Sequence, residues 1–196
     1  MALRILAVLA MLLAAGCAAP GGRTPRGQPS FPANVGPFEQ IEPPITGRAS
    51  VTAGYQLLLP DGPVIATVQW RPTGTVASLL PSLDLGGHDA EDLVDAAVPR
   101  SLAQIRRFYP DASAGEVHGF LVPHGGKLHP GRQFTATFQD STDATPEPIA
   151  MEVNLVCCNA QGEIVEFRFR HAPGLAAARE QSAFVRDFPW TRAAPR

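Results

Sequence analysis

Lysine is nearly missing from this chain, where Lys127 stands alone beside fifteen arginines. With 18 acidic residues against 16 basic ones and a net charge of −2, there is no basic field of the kind that holds nucleic acid. Cysteine is scarce too, at three, so the fold does not rest on a disulfide framework. The apolar run from Ile5 to Ala15 falls short of the roughly 20 residues a helix needs to cross a hydrocarbon core. A nucleophilic serine in a tight glycine turn, a phosphate-cradling glycine loop and a histidine–glutamate zinc motif are all missing, so no pattern proposes a catalyst.

What is present begins at the N-terminus. Arg4 precedes the apolar run, which closes on Leu13-Ala14-Ala15-Gly16-Cys17, and Pro20, Gly21 and Gly22 then break any helix. A charged start, a short apolar segment and small residues at its end are the marks of a signal peptide. The stretch resembles the lipobox of bacterial lipoprotein precursors, with its leucine one place early. That resemblance implies cleavage after Gly16, a diacylglyceryl thioether on Cys17 and acylation, typically with palmitate, of the new amino group. Two or three acyl chains anchor stably where one does not, so Cys17 is the expected lipidation site. In a host with an outer membrane, Ala18 in place of aspartate resembles the sorting pattern for outer-membrane delivery, with the domain facing the periplasm; the inner membrane or cell surface stays open.

Without residues 1–16, and so without Arg4, the net charge is −3. From residue 17 to about residue 50 the sequence is rich in Pro and Gly and reads as a semi-extended tether, although Phe31, Val35, Phe38 and Ile41 are apolar enough for part of it to lie against a domain. Residues 51–190 then make one domain, with residues 191–196 as a tail. A domain of about 140 residues buries around two-thirds of its unfolded surface, enough for a core of its own.

Two strand-like runs, Val51 to Leu59 and Pro63 to Trp70, flank Pro60-Asp61-Gly62 and predict a hairpin. Val94, Val98, Leu102, Ile105 and Phe108 fall at helical spacing, with Asp89 as cap. Pro99 within that stripe predicts a kink or two short helices. Four further strands are expected near Glu116–Val122, Arg132–Gln139, Pro148–Cys157 and Glu163–His171, with one buried face and one wetter face carrying Thr135, Thr137, Glu152, Asn154, Glu166, Arg168 and Arg170. A last helix runs from about Leu175 to Phe188, with Ala177, Phe184 and Phe188 on one side, and Trp190 packs at its end. The expected class is α+β: an antiparallel sheet of about six strands packed by a kinked helix and a C-terminal helix. This order of elements resembles the PsbP-like and Mog1-like α+β domains.

Three constellations bear on chemistry. His118, His124 and His129 surround the loop from Pro123 to His129, where imidazoles from a strand end and its loop can converge on a transition metal; their separations, five and four intervening residues, are looser than structural zinc pairs prefer. Cys157 and Cys158 offer thiols for redox or soft-metal roles. Alternation points Cys157 inward as a small apolar residue, and the 3.8 Å between neighbouring Cα atoms argues against a bridge between the two. Asp84, Asp89, Glu91, Asp92 and Asp95 form an acidic cluster that helix-start electrostatics already explain in part. No cofactor is implied. The sequence therefore points to a membrane-anchored lipoprotein whose domain is a binding or assembly module for an envelope protein or glycan. One alternative is a carrier of a small apolar or metal ligand held between the sheet and the helix of residues 89–109; another is an envelope hydrolase.

Overall fold

A computed structural model describes residues 30–47, 50–72, 87–140, 147–157 and 163–189. In chain order the elements are β1 (Asn34–Val35), β2 (Phe38–Thr46), β3 (Val51–Leu59), β4 (Gly62–Pro72), α1 (Gly87–Phe108), β5 (Ser113–Ala114), β6 (His118–His124), β7 (Lys127–Asp140), β8 (Glu147–Val156), β9 (Glu163–His171) and α2 (Ala178–Asp187). The expected α+β class holds. The strands form one nine-stranded sheet in the order β1-β2-β3-β4-β9-β8-β7-β5, with β6 also on β7. Each pairing is antiparallel. Among the strands beyond the six expected are β1 and β2, which lie inside the stretch expected to be tether.

The turns follow from local chemistry. Gly62 closes the β3–β4 hairpin at φ 138°. Gly125 and Gly126, at φ 59° and 76°, supply the two left-handed residues of a tight two-residue hairpin. The expected loop from Pro123 to His129 is thus mostly strand, because β6 and β7 pair up to His124 and Lys127.

The sheet does not keep one buried face. Asn154 is registered against Phe167, and Leu155 against Glu166, so Leu155 and Phe167 point to opposite sides. One core gathers Val64, Val68 and Trp70 of β4 with Phe167 and Phe169 of β9 under Phe184 and Phe188. The other gathers Phe134, Phe138, Val153 and Leu155 under Val94 and Ile105 of α1. Geometry requires some such division: a ten-residue helix is about 15 Å long, while nine strands about 4.8 Å apart span far more. Each helix covers part of one side, and β9, beneath both, is buried on both faces along most of its length.

Helix α1 also departs from expectation. It begins at Gly87, which puts Asp89 in the first turn instead of at the cap, and it runs through Pro99 as one element. An interior proline costs about 3 kcal/mol; here both halves are fastened to the sheet, by buried Val94 before it and buried Ile105 after it. Phe108, expected in the apolar stripe, is 67 % exposed. Tyr109 takes its place, stacked on Phe138 with ring centroids 3.8 Å apart.

Candidate functional site

On the α2 side of the sheet, β7 and β8 present polar residues where β4 and β9 present core. Gln133 and Asn154 are cross-strand partners, and Glu152 lies two residues along the same face of β8. Helix α2 stands beside this patch, and the β6 hairpin closes it from the edge. Between them lies a groove of about 430 Å³, within the roughly 300–1,000 Å³ typical of small-molecule sites. Phe120, Val122 and Val185 form its apolar wall, and Gln133, Glu152, Asn154 and Gln181 its polar one.

Phe120 reaches this position because its cross-strand partner is Gly131. A Cβ on residue 131 would stand 2.5 Å from the ring's Cζ, so only glycine lets the ring lie across the strand. The polar wall is unusual in lacking internal partners. Gln181 is 3 % exposed and Asn154 7 %, yet the Oε1 of Gln181 accepts no hydrogen bond. Most buried polar side-chain atoms do find one, and each exception calls for an explanation. Arg186, at the rim, is committed elsewhere: its Nε and Nη2 donate to Asp187 at 2.8 and 3.1 Å, and that hydrogen bonding holds the Asp187 carboxyl below its ordinary range. Glu152 and Arg186 are the charged side chains lining the groove, and Arg186 carries Asp187 beside it.

A second polar cluster sits on the opposite face, under α1. Glu166 is fully buried and receives Ser101 Oγ at 2.6 Å and Arg168 Nε at 2.6 Å on one oxygen, while Arg71 Nη2 lies 2.8 Å from the other. Gln104 of α1 accepts from Arg168 Nη2 at 2.9 Å and from Arg71. Burial pulls the Arg71 guanidinium below its ordinary value, against the raising influence of Glu166. Ser101, Arg168 and Arg71 all lie against the Glu166 carboxylate, so the cluster works as a clasp between helix and sheet. The cavity beside it, lined by Leu93, Ala96, Ala97, Leu155 and Ile164 together with Arg71, Arg100 and Glu166, holds about 150 Å³, less than the roughly 300–1,000 Å³ typical of small-molecule sites. The larger space lies on the other side of the sheet.

The histidines separate. His124 and His129 come together at the hairpin, with ring centroids 6.2 Å apart and the His129 Nε2 3.2 Å from the His124 carbonyl oxygen. Burial, and next the His129 charge, depress the His124 pKa. His118 lies six residues back along β6, about 20 Å away at strand rise. Among the described residues no group of three or more His, Cys, Asp or Glu gathers as a metal site. Cys157 is buried with Leu155 as alternation implies, but it is disulfide-bonded, which corrects the expectation of an unbridged thiol. Its partner sulfur lies outside the described residues, as do Cys17 and Cys158. Within the acidic cluster, Asp95 receives both Arg132 Nε at 2.6 Å and Nη2 at 2.9 Å, with Glu91 3.8 Å away; these residues tie α1 to β7. Asp84 and Trp190 lie outside the described residues.

The groove residues were legible only in part. Glu152 and Asn154 read as the wet face of β8, although Val156 on that same face pointed to burial. Gln181 was the stronger signal, since it sits at helical spacing between Ala177, Phe184 and Phe188 in an otherwise apolar stripe.

No known family model matches the chain, and no curated protein does. Among solved structures it is similar to a Pseudomonas aeruginosa protein of unknown function, with a TM-score of 0.40 and 9 % identity over 81 % of this chain and 84 % of that one. Among the described residues no helix is long and apolar enough to cross a membrane.

Proposed function

We propose that this chain is a lipid-anchored protein of the bacterial envelope, attached through Cys17 to the periplasmic side of the outer membrane, whose α+β domain is a binding module. The lipobox-like stretch ending at Cys17 supports the anchor. The groove beside α2 supports the binding role, and one observation carries it: Gln133, Glu152 and Asn154 gather on one wall of a cavity of ligand size with no side-chain hydrogen bond among the described residues. Polar side chains left without a protein partner add nothing to stability, whereas a ligand that pairs with them gains affinity from each.

The anchor is tested by the intact mass of the protein extracted from membranes of its native host, beside a Cys17→Ser variant. The expected mass is that of residues 17–196 plus acyl chains, lost in the variant; an unacylated parent mass removes the anchor. The binding role is tested in the same membranes with a photocrosslinking residue at Ser182, in the groove, and a control at Leu58, which is 74 % exposed and lies outside it. Ser182-specific adducts are expected, and equal recovery from both positions sinks the binding reading.

A further inference from the structure

We infer that the groove beside α2 takes a neutral saccharide of one or two rings; this rests on the binding role proposed above and names its ligand. The argument is one of matching chemistry. Gln133, Asn154 and Gln181 are primary amides, each carrying a donor and an acceptor a couple of ångströms apart. None of the three makes a side-chain hydrogen bond within the described residues, and all line one cavity. Vicinal hydroxyls are the complementary group, since each both donates and accepts.

Other classes fit less well. An anion meets the Glu152 carboxylate, and the cation at the rim among the described residues, Arg186, is already neutralised by Asp187. A wholly apolar ligand strands the amides and the carboxylate without solvent. A cationic amine satisfies Glu152 but leaves the N–H donors of Gln133 and Asn154 unmatched. A sugar ring uses both sides of the groove: its hydroxyls meet the amides and Glu152, and its C–H face lies on the apolar wall that Phe120 provides. The ring of Phe120 lies over Gly131, where a side chain would collide with it. The volume of about 430 Å³ fits one or two rings and not a long oligomer.

The test is an amide-resolved NMR titration of the full chain in detergent with N,N′-diacetylchitobiose and cellobiose, and with 1,5-diaminopentane as the cationic contrast. A disaccharide is expected to shift the side-chain amide signals of Gln133, Asn154 and Gln181 saturably. Asn154→Ala is expected to weaken that binding at least tenfold while the melting temperature holds, since the Asn154 amide lines the groove and makes no side-chain hydrogen bond among the described residues. That pairing separates a ligand role from a structural one. Saturable shifts from the diamine alone, abolished by Glu152→Gln, overturn the saccharide and leave the binding module standing. Silence from all three probes overturns the saccharide, and if Ser182 also yields no specific crosslink, the binding role falls with it.

Discussion

Tyr55 shows how much one buried polar atom constrains its surroundings. Its ring is fully buried and its hydroxyl donates to the Pro32 carbonyl at 3.1 Å, so the phenol both fills the core and fastens the segment that enters it. Burial pushes its pKa up to about 12 from 10.0. The folded protein therefore keeps a proton that the unfolded chain releases, and the stability this represents is intact below pH 10 and is lost as pH rises from 10 towards 12. A phenolate absorbance titration should show one tyrosine ionising late, and Tyr55→Phe should remove that step at a cost of about 1 kcal/mol; an unchanged titration in the variant would assign the late step elsewhere. The strand-like run from Val51 to Leu59 placed Tyr55 in a strand. Its partner carbonyl could not be read, because Pro32 lies 23 residues away in a stretch whose composition resembles a spacer.

The elements themselves were mostly legible, and the departures have a common cause. β9 was placed at its observed bounds, Glu163–His171, because alternation and flanking glycine agree there. Its outward residues were assigned to a wet face, yet Glu166 is fully buried. What overrode the pattern is α1, which lays Ser101 and Gln104 over β9 and turns the charged face into the clasp. The clasp in turn helps to hold α1 together across Pro99, since Ser101 begins the half beyond it. Removing one partner of a buried ion pair costs about 3–5 kcal/mol because the others keep their charge without compensation. Glu166→Gln should lower stability by about that amount in urea unfolding at neutral pH, whereas Asp95→Asn, at a half-exposed pair, should cost under about 1 kcal/mol. Equal losses from the two would show that the clasp is no more than a surface contact.

Across the whole molecule, the class was readable and the connectivity was not. The hairpins are local, but the join between β4 and β9 pairs residues about a hundred apart, from Ile65↔Arg170 to Pro72↔Glu163, and no periodicity reports such a pairing. Helix α2 reinforces that join. Phe184 packs edge-on against Phe38, Tyr55, Phe167 and Phe169, with centroids 4.7 to 6.2 Å away, so the last helix seals strands from both ends of the chain. Phe184→Ala should cost about 3–5 kcal/mol, and far- and near-ultraviolet circular dichroism should still report one coincident transition. Two separated transitions would mean that the halves fold independently.

Phe31 touches Phe188 and Trp70, with centroids 5.9 and 6.5 Å apart, so the chain enters the domain where its last helix ends. Under the anchoring through Cys17 proposed above, tension arrives at that point. The strand nearest the load is β2, which lies near the sheet edge with only the two residues of β1 beyond it. Load applied at residue 30 meets the contacts of Phe31 and the Tyr55–Pro32 hydrogen bond before it meets β1 and β2. The paired strands of the groove, β7 and β8, lie at the far side of the sheet. Because Phe38 of β2 also packs on Phe184 of α2, with centroids 4.7 Å apart, load entering at this edge reaches a wall of the groove through a single aromatic contact.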